Sequence, residues 1–123
     1  MTEKPHVLLV DDHRGQRLIL RTLLQSEGYD CLEADSGAEA LQLLEVPHRI
    51  GLVICDLNMP GMSGTKCIEA IRGNAENRDI RTILLTATQT ELLDADTRCA
   101  DAICDKTKIR SELLEQVRRL FQS

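Results

Sequence analysis

Leu52-Val53-Ile54-Cys55-Asp56-Leu57-Asn58-Met59-Pro60-Gly61-Met62-Ser63-Gly64 is the stretch on which the fold turns. Its first four residues are apolar without a break, the pattern of a strand covered on both faces of its sheet rather than wetted on one. The run stops at a carboxylate, and Pro60, Gly61 and Gly64 mark residues 56–64 as a loop. Toward the N-terminus, Val7-Leu8-Leu9-Val10 has the same character and ends as abruptly, in Asp11-Asp12. Toward the C-terminus, residues 82–85 form another such strand, followed by Thr86-Ala87.

Helical patterns fill the gaps. After the first strand, Leu20, Leu23 and Leu24 fall at helix spacing and Gly28 stands where a helix would stop. Residues 29–34 read as a strand. Ser36-Gly37-Ala38-Glu39 is a capping box, whose Ser and Glu side chains satisfy backbone N–H groups as a helix begins, and Leu41 and Leu44 carry on its apolar face until Pro47. A helix is predicted over residues 65–71, and Gly73-Asn74 marks a turn before the fourth strand. The last units are weaker: a short helix within 90–100, a short strand at 102–104, then an amphipathic helix over 111–120 with Leu113, Leu114, Val117 and Leu120 inward. Strand and helix alternating from end to end imply an α/β fold, a doubly wound sheet of five parallel strands with five helices on its two faces.

A chain of 123 residues, 42% hydrophobic, suits one domain spanning residues 1–123. Its net charge of -5 and the lack of a basic stripe argue against direct binding of nucleic acid, which depends on cationic side chains neutralising phosphates. The apolar runs fall far below the roughly 20 residues that cross a bilayer, and no signal segment opens the chain, so no membrane association and a cytoplasmic location are expected. Five cysteines without a C-x-x-C pair suggest neither a disulfide framework nor a zinc site, and read as small core residues. His6, His13 and His48 are scattered without a partner at ligand spacing and read as surface residues.

Ligands of doubly wound sheets bind beyond the carboxyl ends of the strands. Those positions hold Asp11 and Asp12, Asp56, Thr86 and Lys106. Three carboxylates at one edge repel one another, and a hard divalent cation with oxygen ligands offsets that repulsion; Mg²⁺ is the natural candidate. The glycine-rich turn of an ordinary nucleotide site is missing after the first strand, where Asp-Asp-His-Arg-Gly stands. With a metal in place, Asp56 could attack phosphorus in line while Lys106 and the Thr86 hydroxyl stabilise phosphoryl oxygens, giving an aspartyl phosphate. Singly, each residue has a plainer reading: Asp12 as a helix cap, Asp56 as a turn opener, Thr86 as a strand end and Lys106 as a solvated charge. Their agreement on strand ends favours the chemical reading.

Leu-Leu-Val-Asp-Asp at 8–12, Asp-Ser-Gly-Ala-Glu-Ala-Leu at 35–41, Asp-Leu-Asn-Met-Pro-Gly-Met-Ser-Gly at 56–64, Leu-Thr-Ala at 85–87 and Lys106 together resemble the receiver domains of two-component response regulators, the chemotaxis regulators among them. The resemblance runs from Val7 to Leu120. It implies a flavodoxin-like sheet of order 2-1-3-4-5, an order for which a receiver serves as the general illustration. It implies Asp56 as phosphoacceptor, Mg²⁺ held by Asp12, Asp56 and the Asn58 carbonyl with Asp11 acting through water, and Thr86 and Lys106 on the phosphoryl group. The donor it implies is a phosphohistidine on a sensor histidine kinase or phosphotransfer protein, and the output a changed affinity for a downstream protein. Such a domain is no enzyme toward other substrates, although it catalyses its own phosphorylation and dephosphorylation. Small Ala87 suits phosphoryl access, and Asn58 and Thr88 would tune phosphoryl lifetime.

Three departures fall on the face that receivers use for signalling. Ile103 replaces the usual aromatic switch residue, Thr107 replaces the proline after the lysine, and the stretch from Thr86 to Lys106 is slightly short. A stand-alone receiver is expected; one excised from a hybrid kinase or larger regulator would look the same. A pseudo-receiver that binds partners without phosphorylation would have lost the acid pair, the acceptor or the lysine, and none is lost. A phosphatase of the haloacid-dehalogenase type would carry D-x-D-x-[TV] after its first strand, where this chain has none.

Overall fold

The computed structural model describes residues 4–87 and 99–122. Five strands, β1 (His6–Val10), β2 (Cys31–Ala34), β3 (Ile50–Asp56), β4 (Arg81–Thr86) and β5 (Ala102–Asp105), form one sheet of order β2-β1-β3-β4-β5 with every pair parallel. Four α-helices are seen among the described residues: α1 (Arg14–Gln25), α2 (Gly37–Glu45), α3 (Gly64–Arg72) and α4 (Leu114–Gln122). The helix predicted within 90–100 falls mostly on residues outside that description.

Side chains alternate across a strand, and the unbroken apolar runs therefore feed two cores at once. Val7, Leu9, Leu52, Ile54, Ile83 and Leu85 face α1 and α4, where they meet Leu20, Leu24, Leu113 and Val117. Leu8, Val10, Val53, Cys55 and Leu84 face the other way, toward Ala40 and Leu44 of α2 and Cys67, Ile68 and Ile71 of α3. Cys31, Cys55, Cys67 and Cys104 are buried and Cys99 is half-buried, none of them in a disulfide. No described helix is long and apolar enough to cross a membrane.

Local chemistry sets the element ends. Ser36 accepts the Glu39 N–H at 3.1 Å, while the Glu39 carboxylate takes the Asp35 N–H at 3.2 Å, one residue earlier than a strict capping box. Val46, before Pro47, is extended and ends α2, as the proline ring demands of its predecessor. Strand β2 starts at Cys31, two residues later than the pattern suggested. Gly28, at φ +90°, turns the chain after α1, and the Tyr29 N–H closes that helix by donating to the Leu24 carbonyl at 3.2 Å. The Tyr29 ring then packs against Phe121, centroids 5.6 Å apart, rather than within the sheet. At the C-terminal end, a π-turn over Ile109–Leu113 leads into α4, so regular helix begins at Leu114 rather than at residue 111.

Candidate functional site

The carboxyl ends of β1, β3, β4 and β5 bring the expected residues to one edge. Asp11 directly follows β1 and is fully buried; its N–H donates to the Ala34 carbonyl at 3.1 Å, and Arg17 of α1 donates to its carbonyl at 2.5 Å. Glu33 in turn holds Arg17 at 2.9 Å and Arg21 at 2.6 Å, so α1 and β2 together clamp the backbone that presents the acid pair. Asp12 does not cap α1. The N-cap is His13, in extended conformation, and no side chain caps the helix there.

Asp56 ends β3, and the chain beyond it is held tightly. Leu57 donates to the Leu85 carbonyl at 2.9 Å, carrying the ladder one residue past the strand, and Gly64 donates to the Leu57 carbonyl at 2.8 Å. Gly61 makes the turn between them at φ +79°, and Ser63 caps α3 by accepting the Lys66 N–H at 3.2 Å. A methyl group on Gly64 would lie 2.2 Å from the Asp56 carbonyl oxygen, so only a glycine lets α3 start this close to Asp56.

One oxygen of the Asp56 carboxylate lies 3.0 Å from Lys106 Nζ and the other 3.4 Å from the Asn58 N–H. Lys106 is thus no free surface charge. It opens a short 3₁₀ turn after β5 that Asp105 caps by accepting from both the N–H and the hydroxyl of Thr107 at 2.8 Å. Among the described residues no peptide bond is cis, the one before Thr107 included. Burial pushes the Asp56 carboxyl above the ordinary aspartate range; Lys106 and the Asn58 N–H pull it down, and the charge of Asp11 adds to the rise.

The acid cluster fits a divalent cation. Ligand atoms of Asp11, Asp12, His13 and Asp56 all lie within 4.8 Å of one another. Asp11 Oδ1 is engaged by the His13 N–H at 2.8 Å, but its Oδ2 is buried without a hydrogen-bond partner. A buried carboxylate oxygen so left is costly, and a cation is the partner that three converging carboxylates suit.

His13 is the residue that the sequence reading missed. Its Nδ1 lies 3.1 Å from Asp12 Oδ1 and 3.3 Å from Asp11 Oδ1, so this histidine has partners and stands inside the cluster, although its side chain is 70% exposed. Its place directly after an acid pair and before a helix was the available signal. The other two histidines are structural: His6 lies 3.8 Å from Asp30, and His48 Nδ1 accepts the Ile50 N–H at 3.0 Å.

Of the remaining expected residues, Thr86 is buried at the end of β4 and paired in register with Asp105, and exposed Ala87 follows it. Asn58 is exposed beside Asp56. Ile103 sits in β5 opposite Leu84, packed on the α2/α3 side of the sheet. Thr88 lies outside the described residues.

Residues 7–118 match the response regulator receiver domain family. The chain belongs to that family. Among curated relatives, this receiver is 33% identical over 84 residues to the two-component response regulator ORR3 of Oryza sativa subsp. indica, covering 68% of this chain and 64% of that protein. It is 37% identical over 87 residues to sporulation initiation phosphotransferase F of Bacillus subtilis, covering 71% and 66%. The receiver thus spans just under two thirds of the length of these relatives. Among solved structures, response regulator TrrA of Thermotoga maritima, in complex with Mg²⁺-BeF, superposes with a TM-score of 0.83 at 36% identity, covering 95% of this chain and 99% of that one.

Proposed function

We propose that this receiver accepts a phosphoryl group on Asp56 in a Mg²⁺-dependent reaction, and that the phosphorylated form has a changed affinity for a protein partner. The observation that carries the reading is the placement of the Asp56 carboxylate, 3.0 Å from Lys106 and within 4.8 Å of Asp11, Asp12 and His13. Asp11, Asp12, Asp56 and the Asn58 carbonyl are the groups that would hold the cation. Bound there, Mg²⁺ would neutralise the carboxylates and draw charge from phosphoryl oxygens. Lys106, already beside Asp56, would balance the negative charge that arrives with the phosphoryl group. Thr86, at the neighbouring strand end, would offer its hydroxyl to a phosphoryl oxygen, and small Ala87 leaves the approach open.

The donor in this reading is a phosphohistidine on a sensor histidine kinase or a phosphotransfer protein. A groove lined by Ile19, Ile109 and Arg110 also includes Lys106, so a protein seated there would reach the acceptor. The receiver would act in the cytoplasm as one domain over residues 1–123. Incubation with acetyl phosphate and Mg²⁺, read by intact mass, tests the acceptor. One added phosphoryl mass on the wild type, absent from Asp56→Asn and after chelation, is expected. An unmodified wild type, or an equally modified Asp56→Asn, refutes the reading.

A further inference from the structure

We propose that His13 is a direct ligand of this site for divalent ions of the manganese-to-nickel series, which the receiver would hold through carboxylate oxygens and one imidazole nitrogen. This rests on the proposal that Asp11, Asp12 and Asp56 form a cation site, and concerns what His13 adds to it.

The ring is not committed elsewhere. His13 is the N-cap of α1, yet its side chain makes no capping hydrogen bond, and its backbone is extended at φ −100° and ψ 113°. The imidazole lies beside the acid pair, with Nδ1 3.1 Å from Asp12 Oδ1 and 3.3 Å from Asp11 Oδ1. The position is also enforced from the backbone, because the His13 N–H donates to Asp11 Oδ1 at 2.8 Å. Independently of the histidine, the fully buried Asp11 keeps an Oδ2 without a partner in the same cluster, an atom that calls for a cation. Nitrogen and oxygen ligand atoms of the four residues lie within 4.8 Å of one another, close enough to share one ion.

Donor type then separates the metals. Mg²⁺ is a hard ion that prefers oxygen and keeps several waters, so it gains little from an imidazole. Mn²⁺, Co²⁺ and Ni²⁺ accept mixed nitrogen and oxygen sets, with affinity rising along that series for any such site. Since that rise occurs with or without a histidine, the informative quantity is the change on removing His13, metal by metal.

Mn²⁺, Co²⁺ and Mg²⁺ binding should be measured by titration calorimetry on the wild type, His13→Gln and, as a control, His48→Gln. Electron spin-echo spectra of the Mn²⁺ complexes, which detect a directly bound nitrogen, complete the set. Loss of roughly tenfold or more in Co²⁺ affinity for His13→Gln is expected, on the scale seen when groups supporting a metal are removed. Mg²⁺ affinity should change less than about twofold, since imidazole adds little for that ion. The histidine nitrogen signal should be present in the wild type and in His48→Gln, and absent from His13→Gln. Mg²⁺ binding that survives with no nitrogen signal in the wild type overturns the role of His13 alone. Failure of all three metals to bind overturns the cation site as well.

Discussion

Two glycines that stand at the starts of helices should respond to alanine with opposite signs. At Gly64 the new Cβ would lie 2.2 Å from the Asp56 carbonyl oxygen, 2.9 Å from its carbon and 2.9 Å from Leu57 Cα. All three are backbone atoms, so no rotamer change relieves the overlap; either α3 or the end of β3 must shift. Overpacking of this kind costs about 1–3 kcal/mol, and the better helix propensity of alanine returns at most about 1 kcal/mol. Taking the middle of both ranges, a net loss of about 1.5 kcal/mol follows. At Gly15, in the first turn of α1, a Cβ meets nothing within 4 Å, and the same substitution should stabilise by about 0.5 kcal/mol or more through reduced freedom of the unfolded chain. The chain has one Tyr and no Trp, which makes far-ultraviolet circular dichroism in urea the suitable assay. The denaturation midpoints should straddle that of the wild type at unchanged slope, and, under the proposed function, Gly64→Ala should also slow modification by acetyl phosphate because it displaces Asp56. A Gly64→Ala protein as stable as the wild type, or a Gly15→Ala protein losing as much, would refute the reasoning.

Asp56→Asn should stabilise the metal-free protein. Burial and the Asp11 charge raise the Asp56 carboxyl, so its contribution to stability is present below the unfolded value and lost as pH rises through the folded one; at neutral pH the charge opposes folding. A higher urea midpoint for Asp56→Asn in the presence of chelator is expected, and a lower one would mean that the Lys106 pair outweighs burial. At alkaline pH the buried thiols take over. Cys31 and Cys104 are pushed up by burial from 9.0 to about 11, so the unfolded chain releases protons that the native state retains. Stability measured under reducing conditions should therefore fall between about pH 9 and about pH 11, less steeply in Cys104→Ala. A Cys104→Ala slope equal to that of the wild type would assign the fall to other groups.

The parts of this receiver that were legible in advance are those whose cause is local. Unbroken apolar tetrapeptides mark covered parallel strands, and a carboxylate at the end of such a run is placed by the strand itself; Asp11, Asp56 and Lys106 meet for that reason. Strand order came instead from the motif resemblance, since nothing in a strand's own periodicity names its neighbour. Tyr29 misled because its aromatic ring suits a strand, whereas the Gly28 turn and Phe121, far along the chain, claim it. His13 was hidden by the same limit: its meaning lies in a backbone that folds the ring over residues just before it. The clamp of Arg17 and Arg21 on Glu33 also required the fold, because it joins α1 to a strand more than ten residues away.

The contact between Lys106 and Asp56 has a consequence for the newly made chain. Strand β5 pairs only with β4, at one margin of the sheet, and Lys106 follows it. A nascent polypeptide leaving the ribosome exposes Asp11, Asp12 and Asp56 long before the lysine that stands beside Asp56. Until that margin is laid down, the acids lack their fixed positive neighbour. The charge balance of the acid cluster is thus completed only when the margin strand β5 is laid down and Lys106 comes to rest beside Asp56.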